Sequence, residues 1–302
     1  MLHCCLHFLV VDRQGRNFLY SIFEATLHYP CFTAVHYMKD DFNKGSEQKV
    51  SRFRALSWPL ELFDTNEDFR NSRLPFGDKV NRTRYPSRAM RYWWAACAIQ
   101  DESRKLKASP VIVDVACERG ILKRMTPEIP GSRWIGLDWK LQNRWLGLAG
   151  YDETHYCNLE ERILLPDACA DIVVSLHTLE HIAGHENAFK ELVRILKPKG
   201  VLLIGTPIVP HAFALIRESQ YRKQFAKGLR VSGAHIHKFS PAMYRKLFDR
   251  FGLHLEFIAG LRFFRWSGFS LENSRAWVRF NLLWGALFPS LGREIAIQCR
   301  LS

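Results

Sequence analysis

From about residue 109 onward, short apolar runs alternate with stretches of helical spacing, and this alternation constrains the fold more than any other feature. Residues 111–115, 134–137, 172–176 and 201–205 have the length and composition of buried strands. Strands that alternate with helices form a parallel sheet, which the helices cover on both faces. The sequence therefore predicts an α/β domain over residues 109–302.

Weaker signals predict the rest of this domain. A strand is expected near 155–159, and a helix with an irregular start over 179–196 is stopped by Pro198. Residues 210–233 are interpreted as a basic insertion. Four later elements are predicted from apolar spacing and from Ser240-Pro241, a pair typical of a helix start: a helix over 241–251, a strand over 253–259, a helix over 275–287 and a strand over 294–301.

Residues 1–108 lie outside this alternation and are interpreted as an N-terminal extension. Residues 85–106 have helical spacing, with Trp93 and Trp94 as expected packing residues. We therefore expect 51–108 to form a largely helical cap. No architecture is predicted for residues 1–50.

The charge of the chain is unevenly distributed. The formal net charge is +13, and residues 201–302 carry 15 basic but 5 acidic groups, whereas 111–200 carry 11 basic and 13 acidic groups. A basic surface attracts nucleic acid, anionic membrane or phosphorylated substrates. It is equally compatible with a solvated surface that keeps the protein soluble.

The sequence also bears on the cellular compartment. It contains no run of the roughly 18 apolar residues that a membrane helix needs. Its start lacks the basic and apolar segments of a signal peptide. The 8 Cys residues show neither the spacing of a disulfide ladder nor a CxxC pair. We therefore expect a cytoplasmic protein without a transmembrane segment.

Two adjacent strand ends carry the first candidate site. The turn after strand 111–115 reads Asp114-Val115-Ala116-Cys117-Glu118-Arg119-Gly120, and such a turn points backbone amides at a polar ligand. It has one glycine where a pyrophosphate site would have G-x-G-x-x-G, which argues against a dinucleotide cofactor. Asp138 ends the next strand, where a carboxylate can accept hydrogen bonds from both hydroxyls of a ribose.

With Asp114, Gly120 and Asp138 identified, residues 111–207 resemble a class I S-adenosylmethionine (SAM) methyltransferase of the group that includes small-molecule and ubiquinone-pathway enzymes. Four further blocks carry the resemblance in the family's order: Cys157 to Ala168, Asp171-Ile172-Val173-Val174, Thr178-Leu179-Glu180-His181-Ile182 and Arg194 to Gly200. The resemblance implies a Rossmann-like sheet of seven mostly parallel strands with helices on both faces. It also implies SAM as the cofactor and a methyl acceptor as the substrate.

The same resemblance assigns the site residues. The turn from Asp114 to Gly120 would hold the methionine part of SAM, Asp138 the ribose, and the pair Asn158-Leu159 the adenine. Ser175 and Leu176 would border the sulfonium. The expected cofactor-binding set is therefore Asp114, Ala116, Cys117, Glu118, Gly120, Asp138, Asn158, Leu159, Ser175 and Leu176.

Three of these positions depart from the family pattern. Ala116 and Glu118 stand where glycines are usual, and Asn158 stands where an acid is usual. The Glu118 carboxylate can either crowd the cofactor or pair with its ammonium group. The amide oxygen of Asn158 can still accept a hydrogen bond from the adenine amino group. One alternative is therefore a degenerate methyltransferase fold that binds without catalysing.

His177 is the predicted catalytic residue, a general base at the end of the fourth strand, with His181, His235 and His237 as further candidates. The stretch from His177 to His181 resembles the E-x-x-E-H metal motif of small-RNA 2′-O-methyltransferases and of some ubiquinone-pathway enzymes. A histidine replaces the first glutamate of that motif, so we expect no metal.

The acceptor is expected to contact the poorly matched segments 85–94, 210–233 and 261–266. Basic residues of the insertion and the run Arg262-Phe263-Phe264-Arg265-Trp266 can hold phosphate, a base, a sugar face or a lipid interface. The expected acceptor is a small molecule, a sugar or a lipid-linked compound, with O-methylation favoured. An RNA methyltransferase is the second enzyme considered, and a dehydrogenase fits least because the glycines are missing.

Overall fold

The computed structural model describes residues 7–11, 17–21, 52–64, 83–106, 108–141, 149–227, 235–261 and 269–302. The chain divides into two compact units, Met1–Lys49 and Val50–Ser302. In the first unit, β1 (His7–Val11) and β2 (Asn17–Ser21) pair as an antiparallel hairpin. The division of the chain at residue 108 stays a prediction.

In the described part of the second unit, seven strands form one sheet in the order β5-β4-β3-β6-β7-β9-β8. The strands are β3 (Val111–Val115), β4 (Arg133–Asp138), β5 (Glu153–Tyr156), β6 (Ala170–Leu176), β7 (Leu196–Pro207), β8 (Leu253–Gly260) and β9 (Glu294–Leu301). β3 to β7 pair in parallel, and β9 runs antiparallel to both of its neighbours. The predicted seven-stranded, mostly parallel sheet is confirmed.

Helices cover both faces of the sheet. They are α1 (Glu61–Asp64), α2 (Met90–Lys105), α3 (Ile121–Met125), α4 (His185–Ile195), α5 (His211–Ala226), α6 (Pro241–Phe251) and α7 (Arg275–Leu287). Successive strand residues such as Leu202 and Leu203 enter two different hydrophobic clusters, because side chains alternate across a sheet. One cluster includes α2 and α7, and the other includes α4 and α6.

Local signals account for several element boundaries. At the start of α6, the Ser240 side chain accepts a hydrogen bond from Met243 N and Pro241 is the first helical residue. Gly252 follows the helix with φ +68°, a conformation that suits glycine. No described helix is both long enough and apolar enough to cross a bilayer.

Two predicted elements differ from the structure. β5 covers Glu153–Tyr156 rather than 155–159, because Cys157 and Leu159 are buried beyond the strand end and so imitate a strand pattern. The helix predicted over 179–196 is a 3-10 turn, Leu179–His181, followed by α4. Gly184 precedes the first residue of α4 and interrupts the predicted helix, because glycine disfavours helical backbone.

The chain order indicates where a ligand crevice is expected, at one edge of the sheet. From β3 the chain adds β4 and β5 on one side, and then returns to add β6 and β7 on the other. In open α/β sheets, the ligand crevice lies outside the carboxyl ends of the strands at such a reversal. Asp114, Asp138 and Ser175 lie at or next to these ends.

Candidate active site

The turn after β3 has left-handed backbone at three positions, a conformation that glycine adopts more easily than alanine or glutamate. Ala116, Glu118 and Gly120 have φ values of +59°, +40° and +66°. Left-handed backbone costs a non-glycine residue roughly 1–2 kcal/mol. The turn therefore keeps the conformation of three alternating glycines while two of the three residues carry side chains.

Asp138 holds this turn in place. Its Oδ2 accepts a hydrogen bond from Glu118 N at 2.7 Å, and its Oδ1 accepts one from Lys140 N at 2.8 Å. Cys117 N donates to Leu137 O at 3.1 Å, so the turn is also bonded to β4 itself. Asp138 is buried. The two strand ends that the sequence analysis singled out are thus joined by hydrogen bonds.

The Glu118 side chain points away from this interior. It is 62% exposed, and its Oε1 lies 3.2 Å from Arg119 Nε. Most of this carboxylate is therefore in solvent rather than buried within the turn. Gly120 is needed for space as well as conformation, because an added Cβ would collide with Ala149 Cβ.

Asp114 is paired with a residue that the sequence analysis missed. The Tyr151 hydroxyl donates to Asp114 Oδ2 at 2.6 Å. Burial raises the pKa of the Asp114 carboxyl to about 7, the charge of Asp138 adds to this, and the Tyr151 hydrogen bond opposes it. A positively charged ligand group beside Asp114 would favour the ionised carboxylate. Nothing in the local sequence connects Tyr151 to the strand that carries Asp114.

The predicted adenine pair lies beyond β5. Leu159 is buried, and the Asn158 amide closes its own loop, since Nδ2 donates to Glu161 Oε1 at 2.8 Å and Oδ1 accepts from Glu160 N at 3.1 Å. Cys157 N donates to Asp138 O at 2.9 Å, which ties this loop to the end of β4.

Two exposed aromatic residues lie at the same edge. Trp139, directly after β4, is 66% exposed, and Tyr156, the register partner of Asp138, is 59% exposed. Exposed aromatic faces beside a polar strand end are suited to stacking on a planar ring. They were not singled out from the sequence, where a lone Trp or Tyr carries no positional signal.

Ser175 and Leu176 end β6 beside the turn. Ser175 pairs in register with Val115, and its side chain is 1% exposed. Its Oγ has no hydrogen-bond partner in the part of the chain that the structure describes. A buried hydroxyl costs free energy unless it is hydrogen-bonded, so a water or a ligand atom that reached this Oγ would be stabilised there. Leu176 packs against Gly205 of β7.

His177 is held between two buried carboxylates. Its Nδ1 lies 3.4 Å from Glu180 Oε1, and its Nε2 lies 3.0 Å from Glu294 Oε1. Arg91 of α2 pairs with the same Glu294 oxygen at 2.9 Å, and Thr206 donates to Glu180 Oε2 at 3.2 Å. His177 has φ +54°, so its own backbone is strained.

The charge of this cluster is set by mutual pairing. Burial alone would raise the pKa of the Glu180 carboxyl, but the hydrogen bond and charge of His177 hold that pKa below its ordinary value. By reciprocity, ionised Glu180 stabilises the imidazolium form of His177. Arg91 and Glu294 were not found from the sequence, because 203 residues separate them and neither belongs to a motif.

The other histidine candidates lie nearby. Glu180, His181 and His235 offer ligand atoms that lie within 4.8 Å of one another, so these are the described residues that could hold a metal ion. Ligands of a tetrahedral ion are about 3.4 Å apart, so binding would draw them together. His237 is engaged elsewhere, with Nδ1 2.9 Å from Glu218 Oε2 on α5.

Comparison with known proteins gives the family. A family model described as a methyltransferase domain matches residues 87–256, more than half of the chain. The chain belongs to this methyltransferase-domain family. SAM is the cofactor that this membership implies, and the seven-stranded sheet agrees with it.

Individual relatives are distant. A probable SAM-dependent methyltransferase from Mycolicibacterium smegmatis is 31% identical over 98 residues, which span 32% of this chain and 37% of that protein. A SAM-dependent methyltransferase from Mesorhizobium loti is 18% identical, with TM-score 0.47, over 70% of this chain and 97% of the other. A Haloferax volcanii protein in complex with the Trm112 methyltransferase activator is 18% identical, with TM-score 0.45, over 71% of this chain and 92% of that protein.

The residues present fit SAM. The methyltransferase domain has a left-handed turn after β3, an acidic strand end bonded to that turn, and the buried hydroxyl of Ser175 at the neighbouring strand end. A nucleoside with a charged amino-acid tail needs such a combination of acceptors, donors and close backbone approach.

Glu118→Gly and Ala116→Gly are expected to leave the free energy of unfolding unchanged or to raise it by up to about 1 kcal/mol, because relief of left-handed strain offsets the greater freedom of glycine in the unfolded chain. Urea unfolding measures this change. Ala214→Gly, in the buried face of α5, is the control and should lose about 1 kcal/mol or more. A loss of similar size in Glu118→Gly would contradict the strain argument.

Proposed function

We propose that this protein transfers a methyl group from SAM to an oxygen of a small-molecule, sugar or lipid-linked acceptor. The observation that carries the proposal is the imidazole of His177, held between Glu180 and Glu294 at the sheet edge that also carries the turn 114–120. Methylation of a hydroxyl removes a proton, and this edge provides a group that can accept one.

The cofactor is assigned to residues at the ends of β3, β4 and β6. Asp138 would accept from the ribose hydroxyls, and Asp114 would face the charged amino group of the methionine part. The Asn158 and Leu159 loop would border the adenine. When bound, SAM supplies a methyl group attached to a positively charged sulfur, so the protein's task is alignment and exclusion of water.

His177 is the proposed acceptor of the proton that the methylated hydroxyl loses. An acceptor hydroxyl would have to take the place of Glu294 Oε1 at Nε2, pass its proton to that nitrogen, and leave Glu180 at Nδ1 and the displaced Glu294 carboxylate to stabilise the imidazolium that results. Arg91 Nη2 lies 2.9 Å from Glu294 Oε1 and would help to hold that carboxylate toward His177. Glu294 and Arg91 are therefore positioning residues, and His177 is the proposed catalytic residue. Metal-free transfer stays a prediction.

An RNA acceptor is the second candidate, and the surface of α5 supports it. Arg217, Arg222, Lys223 and Lys227 are exposed on or next to this helix, while its Glu218 pairs with His237. Arg230, also expected to contribute, lies outside the described residues. Such a helix can neutralise a series of phosphates, or receive one anionic group of a smaller acceptor.

The test is to incubate the purified protein with methyl-labelled SAM and a cell extract, and then to separate small molecules, organic-soluble lipids and RNA. Label is expected in the first two fractions and should resist ribonuclease. Label confined to RNA, lost with ribonuclease and reduced steeply between about 50 and 200 mM salt, would establish the RNA alternative instead. The cytoplasmic location stays a prediction from the sequence, and this experiment does not test it.

A further inference from the structure

Two histidines and a glutamate converge next to the end of β6. Glu180 and His181 belong to the 3-10 turn Leu179–His181, and His235 lies on the segment that leads to α6. One ligand atom from each of the three residues lies within 4.8 Å of the other two. Glu180 Oε1 is 3.9 Å from His181 Nε2, and the rings of the two histidines are 4.8 Å apart between centroids. The three side chains are therefore close enough to share one ion.

Backbone hydrogen bonds hold the two segments of this cluster together. His237 N donates to Glu180 O at 3.1 Å, and Val209 N donates to Phe239 O at 3.0 Å. The stretch 235–239 is thus fixed both to the 3-10 turn and to the chain that follows β7. A ligand set that the fold already brings together loses less freedom when an ion binds.

The polar atoms of the cluster are poorly satisfied. Glu180 is 1% exposed, and its Oε1 makes a long contact of 3.4 Å with His177 Nδ1. His235 Nδ1 is buried and has no hydrogen-bond partner among the residues that the structure describes. Buried polar atoms cost free energy unless they are paired, so a cation that bound this carboxylate and this imidazole would be stabilised.

His181 gives the cluster access to solvent. Its side chain is 42% exposed, in contrast to the buried carboxylate of Glu180 beside it. An ion can therefore reach the imidazole of His181 from water. Three protein ligands also leave one coordination position of a tetrahedral ion for a water molecule.

The kind of ion follows from the ligand atoms. Two imidazoles and one carboxylate form a ligand set that binds zinc. Mg²⁺ and Ca²⁺ prefer oxygen ligands and a larger number of them. Zinc–ligand bonds of about 2.0–2.2 Å place the ligands about 3.4 Å apart. Glu180 Oε1 and His181 Nε2, now 3.9 Å apart, would have to approach by about 0.5 Å.

We propose that Glu180, His181 and His235 bind a zinc ion. The sequence predicts no metal because His177 replaces the first glutamate of the metal motif, but this ligand set does not include that position. Glu180 Oε1 also faces His177, so an ion would compete with His177 for that oxygen. The site is therefore assigned to ion binding beside the methyl-transfer chemistry, and it does not depend on the proposed function.

The experiment is a zinc titration of the full chain, without a histidine tag and freed of metal by a chelator, in competition with a zinc-binding dye. One ion is expected to bind per chain and to raise the Tm, because it binds the folded state. Excess Mg²⁺ should not displace it. Co²⁺ bound in its place should show the visible absorption of an ion with few ligands, including nitrogen.

Two variants each remove one ligand. His181→Ala and His235→Asn are expected to weaken zinc binding by at least about 100-fold, because loss of groups that merely orient a ligand already costs about 10–100-fold. Thermal unfolding without zinc should show that both variants fold, and zinc should no longer raise their Tm.

The matched control is His155→Ala. The His155 side chain is 42% exposed, as is that of His181, and its Nε2 lies 3.0 Å from Glu153 Oε2. It therefore has the same exposure and a neighbouring carboxylate, but it belongs to no group of three possible ligands among the described residues. Its removal should leave the zinc affinity unchanged.

Three results would overturn the zinc proposal: no zinc binding, unchanged affinity in both ligand variants, or an equal loss in the His155→Ala control. Displacement of the ion by Mg²⁺ would contradict the choice of zinc. The titration contains neither SAM nor an acceptor, so none of these results bears on cofactor binding or methyl transfer.

Discussion

His177→Asn is expected to lower kcat by at least about 100-fold while the Kd of SAM changes little, because the variant removes the proton acceptor and leaves the turn 114–120 and Asp138 in place. Asparagine is chosen because it tolerates the left-handed backbone at this position better than most residues. Steady-state kinetics and calorimetry separate the two effects.

The control for this variant is His254→Asn. His254 is exposed near the start of β8, at the opposite edge of the sheet, and should leave kcat unchanged. If His177→Asn retained most of the activity, or lost SAM binding and turnover equally, the assignment of the proton to His177 would be wrong.

Glu294→Gln distinguishes positioning from packing in the same cluster. The amide keeps the size of the side chain but removes one of the charges that stabilise the imidazolium. A base must be unprotonated to act, so the acidic limb of the pH–rate profile is expected to move to lower pH. A residue that only packs would lower activity without moving that limb.

Asp138→Ala is expected to weaken SAM binding by at least about 100-fold, since hydrogen bonds to a charged group contribute roughly 1.5–3 kcal/mol each. The variant also leaves Glu118 N and Lys140 N without their present acceptor, so the turn should loosen and the free energy of unfolding should fall by about 2 kcal/mol. Calorimetry with SAM and urea unfolding measure the two losses.

Asp152→Ala separates those two effects. The Asp152 carboxylate accepts from Trp134 N at 2.7 Å, near the opposite end of the same strand. This control is therefore expected to lose stability without losing SAM affinity. If Asp138→Ala bound SAM as tightly as the unchanged protein, the ribose assignment would be wrong.

The sheet and the turn after β3 could be predicted because their signals are local. Helix 275–287 and strand 294–301 have the predicted bounds, since long apolar patterns with clear ends leave little choice of element. The pairing of the turn with Asp138 follows from the rule that parallel strand ends meet at one edge.

The missed features depend on tertiary contacts. Glu294 contacts His177 because antiparallel β9 begins beside the end of β7. No local sequence pattern predicts that β9 pairs with β7 in this register. Tyr151 reaches Asp114 through a loop. The left-handed conformations of Ala116 and Glu118 run against the preferences of those residues.

The most direct test of the central claim is a crystal structure of the protein with S-adenosylhomocysteine. We expect the ribose hydroxyls on the Asp138 carboxylate and the amino-acid tail along the turn from Asp114 to Gly120, with Ser175 Oγ hydrogen-bonded to the ligand or to a water beside it. Ligand bound at another edge of the sheet, or none bound at saturating concentration, would contradict the account.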